Sequence, residues 1–159
     1  MEILIVYDSF FGNTEAIARA LCDAVQKPHV ATMVKVQDFS RDGAYSCDLL
    51  VIGSPTRAFR PTKAIVDMIR SLPSGSLSEK IRYAVFDTRV SVVDVGSKFL
   101  TFMVSLFGYA AEPMDKIMTR RGFHRASPPI GFIVEGQEGP LKEGESERAA
   151  YWMRKLIGN

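Results

Sequence analysis

Short apolar runs rich in β-branched residues alternate along this chain with longer segments of helical period, and no other feature limits the fold as much. Ile3-Leu4-Ile5-Val6-Tyr7 is apolar without a break, as a strand buried on both faces must be. From Gly12 to about Gln26 the period becomes helical, with Ile17, Ala20, Leu21 and Ala24 on one face and Pro28 closing the segment. Residues 30–36 read as a second strand, and Leu49-Leu50-Val51-Ile52 as a third stopped by Gly53. Pro61 suits the first position of a helix carrying Ile65, Met68 and Ile69, which residues 73–75 break. A fourth strand over 81–86, a helix over 97–109, a fifth strand over 129–134 and a closing helix over 145–157 complete the series. Residues 112–127, with Lys116, Arg120, Arg121 and Arg125, read as a basic extension before the last strand, with a short strand at Lys116-Ile117-Met118.

Strands separated by helices need crossover connections, so the sheet is parallel and both of its faces are covered. Right-handed crossovers leave few arrangements. For five strands in a doubly wound α/β fold they favour the strand order 2-1-3-4-5. At 159 residues, with no repeat and no linker, the chain reads as a single domain over 1–159.

Composition narrows the function. A chain with 47% hydrophobic and 24% charged residues belongs with folded globular proteins and not with disordered ones. A net charge of +2 is too small to make nucleic acid or an anionic membrane the main partner. Cys22 and Cys47 give neither a disulfide framework nor metal-ligand spacing. The apolar stretch over 99–111 is too short to span a bilayer and carries Thr101 and Ser105. With no basic segment and cleavage site ahead of the first strand, a cytoplasmic protein is expected.

Ligands of open parallel sheets bind beyond the carboxyl ends of the strands, where strand order reverses. That selects the loops after the first, third and fourth strands. The first reads Ser9-Phe10-Phe11-Gly12-Asn13-Thr14 and leads into a helix whose first N–H groups point outward. Such an end can hold a phosphate monoester without Lys or Arg, although Ser, Asn and Thr are equally good capping residues. The loop lacks the Gly-Lys-Ser/Thr ending of a P-loop and has one glycine where a dinucleotide fingerprint needs three.

The run Ile5-Val6-Tyr7-Asp8-Ser9-Phe10-Phe11-Gly12-Asn13-Thr14-Glu15 resembles the flavodoxin family, whose phosphate loop has the form T/S-x-T-G-x-T. The resemblance continues at Val51-Ile52-Gly53-Ser54-Pro55-Thr56-Arg57 and at Val85-Phe86-Asp87-Thr88-Arg89. It returns from Phe132-Ile133-Val134-Glu135-Gly136 through Gly139-Pro140-Leu141-Lys142-Glu143-Gly144-Glu145, so the landmarks cover nearly the whole chain in order. The resemblance implies a flavodoxin-like fold and a noncovalent FMN. By position, Ser9, Gly12, Asn13 and Thr14 would hold the phosphate with main-chain help from Phe10 and Phe11. Ser54, Pro55, Thr56, Arg57, Ala58 and Phe59 would border one edge of the flavin ring, and Asp87, Thr88, Arg89 and Val90 the other.

Three departures bear on function. Phe11 stands where the family pattern has a hydroxyl residue, an aromatic similar to those in the loops of flavodoxin-like quinone reductases. The loop after the fourth strand offers no Tyr or Trp to stack on the flavin, which leaves Phe59 as the aromatic candidate or as a core residue at a helix entry. Arg57, Arg60, Lys63 and Arg89 make the surroundings basic, and cations near the ring favour its reduced, anionic form. A potential less negative than a typical flavodoxin's is therefore expected, unless these side chains point into solvent. The segment from Ser54 to Pro61 contains no glycine, so its main chain is harder to turn over.

Residues 97–109 carry two apolar stripes, Leu100, Met103, Val104 and Phe107 on one side and Phe99, Phe102 and Leu106 on another. The second stripe marks an interface with a second copy, a redox partner or a membrane surface, or else is covered by the 112–127 segment. Metal, hydrolase and receiver chemistries lack their clusters: His29 and His124 are isolated, Gly53-Ser54-Pro55 is no G-x-S-x-G elbow, and Asp8 has no acidic neighbour. The reading is an FMN-binding electron carrier between redox partner proteins or a small-molecule acceptor. Beside it stand an NAD(P)H- or partner-driven quinone or small-molecule reductase, and a flavin-free interaction module. The fold does not choose among them.

Overall fold

The computed structural model describes residues 1–75, 78–91, 96–98, 101, 102, 105 and 108–158. Strands β1 (Glu2–Tyr7), β2 (Val30–Lys35), β3 (Leu49–Pro55), β4 (Arg82–Val90), β5 (His124–Arg125) and β6 (Ile130–Val134) form one parallel sheet. Its order is β2-β1-β3-β4-β5, with β6 also on β4. β5 pairs with Arg82 and Tyr83, and β6 with the stretch from Phe86 to Val90, so the two short strands share the fifth position. Pro128 and Pro129 lie between them and have no N–H to give the ladder, which accounts for the break. The expected order 2-1-3-4-5 is the observed one.

Helices α1 (Asn13–Asp23), α2 (Arg41–Tyr45), α3 (Lys63–Ser71), α4 (Ala111–Arg120) and α5 (Glu145–Leu156) accompany the sheet, and Lys98, Thr101, Phe102 and Ser105 are helical as well. Side chains alternate across each buried strand and so build two cores. On one face Leu4, Val6, Leu50, Ile52, Tyr83 and Val85 meet Ile65 and Ile69 of α3 and Met114 and Met118 of α4. On the other, Ile3, Ile5, Leu49, Val51, Ala84 and Phe86 meet Ile17 and Leu21 of α1 and Trp152 and Met153 of α5. Phe86, Phe132 and Trp152 pack edge to face there, with ring centroids 5.9–6.5 Å apart. A Cβ on Gly53 would lie 2.2 Å from the Phe86 ring, so only glycine lets the aromatic cross β3.

Two expectations change. Lys116-Ile117-Met118 is helical, not a strand, because Ala111, Met114 and Met118 recur at helical spacing and are fully buried. Pro113 sits in the first turn, where its missing N–H costs nothing, and the basic residues lie on the outer side. β4 also runs on to Val90, four residues past the strand read over 81–86, as the ladder to β6 continues there. The stripes assigned to 97–109 fall largely outside the described residues; of them Phe102 is described, and it is exposed.

Candidate functional site

β1 ends at Tyr7, and the chain turns through Ser9 to Gly12 before α1 begins. The Ser9 hydroxyl accepts from the Gly12 N–H at 3.1 Å and the Glu15 N–H at 3.4 Å, which folds the turn back on the helix entry. Gly12 is the N-cap at φ 84°, a left-handed conformation that glycine adopts without strain, and nothing lies within 4 Å of where a Cβ would be. The amides of Phe10, Phe11, Asn13 and Thr14 have no hydrogen-bond partner among the described residues. Four open N–H groups, no side chain at Gly12 and the positive end of a helix suit a phosphate group.

The side chains of this loop have other duties. Thr14 is buried, and its hydroxyl pairs with that of Thr88 at 2.8 Å, joining α1 to β4. The Asn13 amide donates to the Glu138 carbonyl at 2.9 Å and lies where a Cβ on Gly139 would be, pinning the turn after β6 to the start of α1. Thr14 and Asn13 thus have main-chain N–H groups to offer an anion.

The loop after β3 is a tight hairpin. Arg57 and Arg60 exchange two main-chain hydrogen bonds of 2.9 Å, and between them Ala58 and Phe59 have φ of 45° and 65°. Two consecutive positive φ values define a type I′ turn, in which Asn and Gly are the favoured residues. Neither is present, so the turn carries strain. The Arg57 guanidinium lies 5.0 Å from the centre of the Phe10 ring and 5.9 Å from that of Phe11, bridging the β1 and β3 loops. The Thr56 hydroxyl accepts from the Ala110 N–H at 3.0 Å, tying this loop to the start of α4.

At the end of β4, Asp87 is fully buried. Its carboxylate accepts from Arg89 Nε at 2.5 Å, Arg89 Nη2 at 2.7 Å and the Ala111 N–H at 2.7 Å. Burial pushes the carboxyl up to about 6, with Arg89 pulling the other way. Arg89 also lies 3.8 Å from the Tyr109 ring centre and over Gly131, where a Cβ would meet its Nε at 2.1 Å.

These loops enclose an open cleft of about 130 Å³, lined by Ser9, Phe10, Phe11, Asn13, Thr14, Pro55, Thr56, Arg57, Ala58, Thr88, Arg89 and Val90. Val134 and Gln137, beyond β6, complete it; sequence reasoning missed both, although they fall within the last of the family landmarks. Four expected residues do not line it. Gly12 shapes the turn from behind, and Phe59 is half-buried to one side. Ser54 is wholly buried, where its hydroxyl accepts from the Thr62 N–H at 3.0 Å at the entry to α3. Asp87 faces Arg89 and α4 instead of the cleft. Of the four cations expected around a ring, Lys63 is exposed and bound to Asp67, and Arg60 stands opposite Arg57, so Arg57 and Arg89 alone reach the cleft.

The flavodoxin family model matches residues 5–152. The chain belongs to the flavodoxin family. It is an FMN-binding electron-transfer protein, and the open amides at the head of α1 fit the FMN phosphate. Among solved structures it is similar to oxidised flavodoxin 1 from Bacillus cereus, with a TM-score of 0.74 at 12% identity over 99% of this chain and 97% of that one. A flavodoxin from the domain Archaea gives 0.73 at 16% identity over 98% and 96%. The two-electron reduced flavodoxin of Megasphaera elsdenii gives 0.67 at 20% identity over 96% and 98%. No curated protein matches the sequence. Like its family, the chain works with redox partner proteins, and no helix among the described residues is long and apolar enough to cross a membrane.

Proposed function

We propose that this flavodoxin is a carrier, taking electrons from one redox protein and passing them to another without a substrate site of its own. The observation that carries this is the build of the cleft: an anion-binding helix end set between two loop walls. In this reading the amides of Phe10, Phe11, Asn13 and Thr14 hold the phosphate, with Ser9 and Gly12 setting the turn. Pro55, Thr56, Arg57 and Ala58 wall one side of the ring, Thr88, Arg89 and Val90 the other, and Val134 and Gln137 close the space between. Ser54, Phe59 and Asp87 then act by shaping the walls.

FMN supplies the one- and two-electron chemistry when bound. The protein's part is to fix its position and set the charge around it. Asp87 offsets Arg89 and Asp67 offsets Lys63, so the basic surroundings reduce to Arg57 as the cation favouring the reduced cofactor. The potential is then less negative than in an acidic site, by less than four free cations would give. Both thiols are free, which suits a reducing cytoplasm.

The test is an absorption spectrum of the protein after addition of FMN and removal of the excess, followed by an assay with NAD(P)H and a quinone. Bound flavin with no turnover supports the carrier. Bound flavin with multiple turnovers moves the protein to the reductases, and a colourless protein overturns the cofactor itself.

A further inference from the structure

One side of the cleft rim combines three features that stability alone does not ask for. Phe10 and Phe11, large aromatic residues at the mouth of the cleft, are 60% and 47% exposed. Arg57 and Arg60 stand directly opposite each other across a two-residue turn, a like-charge pair that is destabilising in that register. The turn that brings them together sets Ala58 and Phe59 at positive φ. Neither arginine has an acidic partner among the described residues; Arg57 is held only over the two rings. The turn after β6, pinned to the start of α1, exposes Glu135 and Glu138, so on this rim the unpaired cations are the two arginines of the β3 loop.

Exposed aromatics beside arginine are the residues that dominate the energy of protein interfaces. A convex turn offers no enclosure for a small anion. We propose that Phe10, Phe11, Arg57 and Arg60 form the docking surface for an acidic electron-transfer protein. The arginines steer the partner's carboxylates to this rim, and the two rings give the contact its apolar centre. Because the rim borders the cleft, a partner seated on it lies next to the cofactor.

The inference rests on the electron-carrier reading, and the two fail separately. The experiment is an amide NMR titration of the isotope-labelled, FMN-treated protein with an acidic [2Fe–2S] ferredoxin, and in parallel with a basic c-type cytochrome. Flavin absorbance of the same sample reports the cofactor, whereas the shift map reports docking. With ferredoxin, the perturbed amides are expected at Phe10 to Gly12 and Thr56 to Arg60, and affinity should fall about tenfold between low and high ionic strength. Arg60→Glu should weaken ferredoxin binding several-fold and admit the cytochrome. It places opposite charges across the turn, so it should fold at least as well as the parent. Lys80→Glu, the same change of charge ahead of β4 at the far end of the sheet, should leave the titration unaltered. Perturbations elsewhere, a preference for the basic cytochrome in the parent protein, or equal effects of the two substitutions would overturn the proposal.

Discussion

Arg57 and Arg89 line the same cleft and are held in opposite ways. Arg89 is 14% exposed, bound through two nitrogens to a buried carboxylate and laid over a glycine that leaves room for it. Arg57 is exposed, rests on two aromatic rings and faces another arginine. One is a neutralised part of the wall, and the other is a free charge at the rim. A guanidinium acts on a cofactor or a partner only to the extent that its counter-charge lies elsewhere, so counting basic residues in a loop does not give the field in the site.

The sharpest break of this contrast is Asp87→Ala. It leaves Arg89 largely buried with no charge against it beyond the 3.7 Å approach of Glu112, and it removes the acceptor for the Ala111 N–H at the head of α4. Losing one partner of a buried pair is costly, and a drop of about 3 kcal/mol in unfolding free energy is expected from urea titration. A drop below about 1 kcal/mol would show Arg89 to be as loosely held as Arg57.

A smaller effect comes from pH. The Asp87 carboxyl faces Arg89 on its own strand and Ala111 and Glu112 on α4, and burial raises it from 3.8 to about 6. Between those values the folded protein holds a proton that the unfolded chain has lost. The contribution is therefore complete below about pH 4 and lost as pH rises through about 6, of order 3 kcal/mol. Urea midpoints of the parent protein and Asp87→Asn at pH 4, 5, 6 and 7 isolate it, since other groups titrate alike in both. The parent should lose stability relative to the variant across this range. Parallel profiles would mean that Arg89 keeps Asp87 ionised throughout.

How far the sequence reveals these regions follows from what sets each of them. The sheet was legible because unbroken apolar runs such as Ile3 to Tyr7 demand burial on both faces and the helices between them demand crossovers. The open main-chain N–H groups at the α1 entry were legible because a short motif with one glycine sets that turn. The loop walls of the cleft were less so. Ser54 and Asp87 lie in the right loops, but alternation along a strand, or a distant partner such as Thr62 or Ala111, takes their side chains from the cleft. α4 was hidden by its charged outer face, and Val134 and Gln137 enter only through the fold. The missing glycine after Ser54 was visible at once; that the turn nonetheless takes two positive φ values was not.

That turn gives the smallest expected effect and the most direct view of the Arg57 side. An Ala in the left-handed region is strained by about 1–2 kcal/mol, and a glycine there loses the strain but gains freedom in the unfolded chain worth about 0.5–1 kcal/mol. Ala58→Gly should therefore raise stability by about 0.5 kcal/mol, read as a small upward shift in the urea midpoint. The Asp87–Arg89 wall is untouched by this change, so any gain belongs to the rim alone. A loss of stability would mean that the Ala58 methyl, which borders the cleft, makes contacts worth more than its strain, and the rim would then be a packed wall like its counterpart on β4.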